Sequence, residues 1–221
     1  MNSRNIVRLF LSTLAVGGIT AGIVGFAARW DEFAHLFTSF DIGEIVSTFI
    51  WMFGVGLIFS VISQAGFFAY LTIHRFGLGI FHGPSLWNAV QLVVIVFVLF
   101  DLVYLRFISF GTGQGLGSYL ALAIFLLVIG LITAFFKTKQ TNKQAFIPAL
   151  FFMVVVTTVE WVPVLRVNNE SWMLFMLFPL LACNAYQLLI LNKLISKSQQ
   201  ELESKKAKKK QTSLNRHKQM T

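Results

Sequence analysis

Two carboxylates in this 221-residue chain, Asp101 and Glu160, interrupt long apolar runs. An acid set among so many apolar residues is costly, so each is a candidate for ion or proton transfer. The other reactive groups do not assemble into a site by spacing. His35, His74, His82 and His217 are spread along the chain with no metal-ligand interval, and Cys183 is a lone cysteine with no disulfide partner. No Ser–His–Asp or Cys–His pattern shares a compartment, so no nucleophile can be named and an enzyme is not expected. The run Gly111-Thr-Gly-Gln-Gly-Leu-Gly117 does not match G-x-G-x-x-G and follows no strand; it reads as a flexible turn rather than a phosphate cradle. Catalytic residues, cofactors and metal ions are all expected to be absent.

The elements that must carry the two acids are six apolar runs, about 9–28, 45–73, 86–105, 118–136, 145–165 and 172–192. A hydrocarbon core about 30 Å thick takes about 20 helical residues, and backbone groups in lipid must be satisfied within the segment. The composition agrees, with 56% hydrophobic and 12% charged residues and 24 Phe. The expected fold is therefore all-α: a six-helix transmembrane bundle over residues 1–195, with no core left for a soluble domain. The first run, 20 residues long, exceeds the apolar segment of a cleaved signal peptide and reads as a retained helix.

Positive charge orients the bundle. Of the 18 Lys and Arg residues, all but Arg29, Arg106 and Arg166 fall in the N-terminal segment, the second and fourth loops and the tail. Positive loops stay in the cytoplasm, so both termini are expected there. Trp30, Tyr104, Trp161 and Trp172 at one predicted boundary, and Tyr70, Trp87 and Tyr186 at the other, fit interfacial belts.

Depth qualifies the two acids. Asp101 precedes Arg106 by about 7.5 Å along a helix, and Glu160 precedes Arg166 by six residues, so both lie toward the outer boundary. Ion pairs with the external arginines are the favoured reading over a transport site, which belongs near the midplane. Only Gln64, Asn184 and small hydroxyls are polar there. Gly18-Ile-Thr-Ala-Gly22 is a GxxxG stripe suited to close helix packing, within one chain in preference to a homo-oligomer contact. Gly54, Gly56 and Gly66 offer bending or close-packing points in the long second run. Residues 196–221 form a basic tail, expected to be disordered; from Lys193 onward it carries nine basic and two acidic residues. It can lie on anionic lipid headgroups, whereas nucleic acid is not expected because aromatics are not interleaved with its lysines.

Specific words then matter. The chain opens Ser3-Arg-Asn-Ile-Val-Arg-Leu-Phe-Leu-Ser-Thr-Leu14, and the second run reads Gly54-Val-Gly-Leu-Ile-Phe-Ser-Val-Ile-Ser-Gln-Ala-Gly-Phe-Phe-Ala-Tyr-Leu-Thr-Ile-His-Arg-Phe-Gly-Leu-Gly79. The third run ends Leu99-Phe-Asp-Leu-Val-Tyr-Leu-Arg-Phe107, and the fifth leads out through Glu160-Trp-Val-Pro163. Over about residues 1–195 this resembles the KinB-signalling pathway activation protein family, KbaA, of spore-forming bacilli. The resemblance implies a multi-pass plasma-membrane protein that promotes activation of the sensor histidine kinase KinB, whose phosphorelay commits the cell to sporulation. It carries over no catalytic residues. On that reading the candidate contact surfaces are the Gly18/Gly22 stripe and the cytoplasmic loop around His74, Arg75 and His82. A small transporter or channel using Asp101 and Glu160 is the alternative; the off-centre acids and the lack of an inverted repeat weigh against it.

Overall fold

The computed structural model describes residues 3–111 and 116–219, and among them every regular element is helical. In chain order these are α1 (Ser3–Ala28), the short α2 (Trp30–Thr38), α3 (Ile42–Ile80), α4 (Pro84–Phe110), α5 (Leu116–Gln140), α6 (Lys143–Val167) and α7 (Glu170–Gln219). All but α2 are long and apolar enough to cross a membrane, with the apolar stretch of α7 lying within Glu170–Lys206.

Polar residues at the junctions set the boundaries. The Asp41 carboxylate accepts from the Glu44 backbone N–H at 3.1 Å and caps α3. Asn142 accepts from the Ala145 N–H at 3.1 Å where α6 begins. Asn168 ends α6 in the left-handed conformation, φ 52°, which asparagine tolerates better than most residues. Asn169 then accepts from the Trp172 N–H at 3.1 Å and caps α7.

Two groups of helices build the bundle. In the first, α1 packs against both α3 and α7. Small residues allow it: a Cβ on Gly17 would stand 2.7 Å from Ser60 Cβ and 2.9 Å from the Gly56 carbonyl oxygen. The second group is α4, α5 and α6, with Gly130 of α5 set against Leu150 and Val154 of α6. The second half of α6 joins the two groups by packing on α3 and α7. Phe67 of α3, Phe152 and Trp161 of α6, and Phe175 and Leu177 of α7 are buried at that junction. Elsewhere large apolar side chains face outward, including Val93, Val96 and Phe97 of α4 and Ile50 and Ile58 of α3. Exposed apolar surface on this scale is disfavoured in water and matched by lipid.

Tertiary contacts put the charge asymmetry in space. At one end Asn5 of α1 donates to Ser198 of α7 at 2.7 Å, and Lys137 of α5 donates to the Leu188 carbonyl and the Asn192 side chain at 2.6 and 3.2 Å. At the other end Arg29 lies 4.9 Å over the Trp172 ring, and Arg106 donates to Asn168. Arg166 lines one recess with Arg106, so the three isolated arginines gather at the end opposite the tail.

Three local features differ from the sequence expectation. First, α3 has 39 residues, about 58 Å at 1.5 Å per residue, and continues to Ile80. His74 and Arg75 therefore ride on its last turns, leaving only Phe81–Gly83 as a loop. Second, the described backbone of α7 is helical from Glu170 through Gln219. Glu, Gln, Ala and Lys are strong helix formers, and Glu201 with Lys205 is a favourable i,i+4 pair. Burial of Leu194 and Ser198 ties the start of this extension to the bundle. The side chains of Lys208, Lys209 and Lys210, and positions 112–115 of the glycine-rich turn, lie outside the described residues. Third, α4 and α6 each contain a widened π turn, at Asp101–Leu105 and Phe152–Val156. A π turn adds a residue to one turn and resets the rotational phase of the helix beyond it; such turns recur at functional sites.

Candidate functional site

A string of hydrogen-bonded side chains joins α3, α6 and α7 inside the bundle. Ser60, Ser63 and Gln64 recur at helical spacing on α3, so all three face inward, and Cys183, Asn184 and Gln187 do the same on α7. Thr157 and Glu160 lie just beyond the π turn of α6. Asn184 is the hub. Its amide nitrogen donates to Glu160 Oε2 at 2.7 Å and to Thr157 Oγ1 at 2.9 Å, while its Oδ1 accepts from the Ser63 hydroxyl at 2.6 Å. Gln187 Nε2 donates to Ser63 Oγ at 2.7 Å, and Gln64 Nε2 to Ser60 Oγ at 3.2 Å.

Every member of the string is buried, and three oxygens in it, Glu160 Oε1, Gln187 Oε1 and Gln64 Oε1, have no partner among the described residues. Buried polar atoms are normally paired, and in lipid an unpaired one is costlier still. Glu160 Oε1 instead abuts the Gly66 backbone, where a Cβ would collide with it. Asparagine and glutamine amides each offer donor and acceptor, so Asn184 bridges α6 and α3 at once, donating to Glu160 and accepting from Ser63.

The expected pairing of the acids with external arginines does not form. Among the described residues the one ion pair joins Arg29 to Glu32. Arg29 also lies over the rings of Phe33, Trp51 and Trp172, at 5.2, 5.6 and 4.9 Å. Arg106 bonds to neutral atoms, Asn168 Oδ1 and Met173 Sδ, and Arg166 is exposed. Glu160 takes an amide partner because the face of α6 that bears it turns toward α7 and away from Arg166. Asp101 opens the π turn of α4 with its side chain exposed. The two acids lie in different surroundings: Asp101 lines an open recess with Arg106 and Arg166, without an ion pair to either, and Glu160 is buried between α3, α6 and α7.

The Gly18/Gly22 stripe is occupied from within. A Cβ on Gly18 would meet the Phe53 ring at 2.6 Å, and one on Gly22 would strike the Phe49 ring. Both rings belong to α3, so the stripe is not free for another protein. At the tail end of α3, His74 Nδ1 accepts from the Trp87 indole N–H at 3.0 Å, which fixes α4 against α3. Arg75 beside it is exposed, and His82 is exposed in the turn at φ 52°. His74 is thus committed to Trp87, while Arg75 and His82 are exposed.

The family model described as KbaA, KinB-signalling pathway activation in sporulation, matches residues 17–194. The chain belongs to this family. It is 54% identical over 198 residues to the KinB-signaling pathway activation protein of Bacillus subtilis (strain 168), an alignment that spans 89% of this chain and the whole of that relative. No solved structure gives a significant match. The family match contains every member of the polar string, from Ser60 to Gln187, and leaves out most of the tail.

Glu160, Gln64 and Asn184 stand out in the sequence as polar residues within apolar runs and Gly66 as a close-packing point, whereas Ser63, Thr157 and Gln187 do not. A signal for some of them is present: polar residues at i, i+3 and i+4 within an otherwise apolar helix mark a polar stripe, here at 60, 63 and 64 and again at 184 and 187.

Proposed function

We propose that this chain is a multi-pass plasma-membrane protein, with both termini in the cytoplasm, that promotes activation of the sensor histidine kinase KinB without enzymatic chemistry of its own. The observation that carries this is the 54% identity to a KinB-signaling pathway activation protein across that relative's full length. Six helices of membrane-spanning length, and the gathering of Arg29, Arg106 and Arg166 at the end opposite the tail, support the membrane setting and the orientation.

Lateral helix packing is the mechanism this geometry favours. Two packing states of a membrane kinase need differ by only a few kcal/mol for a partner to shift their populations. The Gly18/Gly22 stripe is spent internally, so contact with the kinase falls to exposed surface. The tail end of α3 is the best placed, where Phe76, Ile80 and Arg75 are exposed near His82. The Glu160–Asn184–Ser63–Gln187 string supplies an internal joint between α3, α6 and α7. Basic residues of the tail hold α7 near anionic headgroups.

Transfer into Bacillus subtilis lacking its own relative tests the reading. Output of a KinB-dependent sporulation reporter should return, and should not return when KinB is also deleted. Normal membrane levels of the chain with no recovered output would sink the proposal.

A further inference from the structure

Among the described residues Arg106 makes no direct ion pair; Glu170, on the same cavity, is an acid that bears on its charge. The Arg106 side chain is 8% exposed, yet its hydrogen bonds go to Asn168 Oδ1 and Met173 Sδ, both at 2.6 Å, and its guanidinium carbon lies 5.2 Å over the Tyr119 ring. Its Nε has no partner among the described residues, and no carboxylate of theirs lies within 4 Å. A buried charge is normally paired, and arginine's fork is built for carboxylate or phosphate oxygens. Arg106 follows directly on the π turn at Asp101–Leu105, and turns of that kind recur at functional sites.

Arg106 lines a cavity of about 450 Å³ between α4, α5 and α7, at the end opposite the tail. That volume is within the range of small-molecule sites. Phe110, Leu122 and Leu174 make its apolar wall, and Glu170 also lines it with an exposed side chain. A ligand bearing only negative charge would meet Glu170 as a like charge. A ligand carrying both an oxyanion and an ammonium would satisfy both residues.

We propose that this cavity binds a zwitterion: a carboxylate or phosphate on Arg106, an ammonium group toward Glu170, and an apolar portion against Phe110, Leu122 and Leu174. That chemistry has two sources, the headgroup of phosphatidylethanolamine and a free amino acid or short peptide with an apolar side chain. The site stands whether or not the chain acts on KinB, and its test needs no kinase.

The full chain is reconstituted in nanodiscs of phosphatidylglycerol alone, and its melting temperature is followed on adding phosphatidylethanolamine to the disc or leucyl-leucine to the buffer. One of the two should raise it by about 2–4 °C. A lipid response assigns the headgroup and a dipeptide response the free ligand. The shift should vanish in Glu170→Gln, whose exposed position spares the fold, and in Ala121→Phe, which fills the cavity lining without touching either charge. Arg106→Gln should lose it as well. No shift with either probe, or an equal shift in Glu170→Gln and Ala121→Phe, overturns the proposal. So does an equal response to N-acetyl-leucine, which keeps the carboxylate and lacks the ammonium.

Discussion

The Glu160 carboxyl rests directly on the backbone of α3 at Gly66, in the volume that any larger residue's Cβ would occupy. One oxygen of that carboxyl is held by Asn184, and the other has only the glycine surface beside it. A helix built largely of apolar residues thus has a notch at the one position where α6 brings an acid to it. The notch and the acid are a matched pair.

That match makes the two positions energetically coupled. Gly66→Ala should destabilise the bundle by about 1–3 kcal/mol, the usual cost of overpacking a filled interior. The same change in a Glu160→Ala background should cost much less, because the colliding atom is gone. Unfolding midpoints in detergent for the two single variants and the double variant measure the difference. Strict additivity would mean that the carboxyl moves aside and the contact carries no energy.

Asn184 should be the most sensitive polar residue of the bundle. Its side chain makes three hydrogen bonds, to Glu160, Thr157 and Ser63. At about 0.6 kcal/mol per interhelical bond in a membrane, Asn184→Leu should cost about 2 kcal/mol, and more through the stranded Glu160. Gln64→Leu removes a single bond to its own helix and should cost less. An equal effect of the two changes on the unfolding midpoint would show that the string does not act as a network.

Much of this architecture is legible in the residues, and what is not has a physical reason. The six long helices follow from apolar length alone, because lipid demands about 20 residues per crossing. Helix ends are less visible: α3 runs on through His74 and Arg75, and α7 through lysines and glutamates, because helix propensity does not stop where hydropathy does. Arginine partners for the acids fail for a different reason. Axial spacing fixes depth, but rotational phase decides which neighbour a side chain meets, and Phe-Met-Val-Val-Val at 152–156 gives no sign of the π turn that sets the phase of Glu160. Gly18 and Gly22 announce close packing, while the partner helix depends on the fold as a whole.

Gly18→Leu separates internal packing from partner contact. With the Phe53 ring 2.6 Å from where a Cβ would stand, an isobutyl group cannot enter without parting α1 from α3. Membrane yield and reporter output should fall together, with output per molecule nearly unchanged. Full yield with lost output would instead place the kinase contact on this stripe.

Orientation can be read by labelling. In a Cys183→Ser background, a cysteine at Ser39 should react with an impermeant maleimide in intact cells. Cysteines at Gln140 and Lys205 should react only after permeabilisation. Labelling of position 140 in intact cells would reverse the assignment of sides.

The tail tests whether charge does more than anchor α7. Changing Lys205, Lys206, Lys208, Lys209 and Lys210 to Gln removes up to about 5 kcal/mol of attraction to an anionic leaflet, at about 1 kcal/mol per residue. Glutamine is nearly as good a helix former as lysine, so the helical extension of α7 should persist. Arg4, Arg8, Arg75, Lys137, Lys139 and Lys143 still mark the same side, so the labelling pattern should not change. Binding of the isolated 193–221 peptide to vesicles containing phosphatidylglycerol should drop steeply, while KinB-dependent output of the full chain should stay near the unmodified level. The family match stops at residue 194, before these lysines, which is why kinase activation is expected to survive their loss. Output lost at normal membrane levels would move the partner contact from the end of α3 to the tail helix.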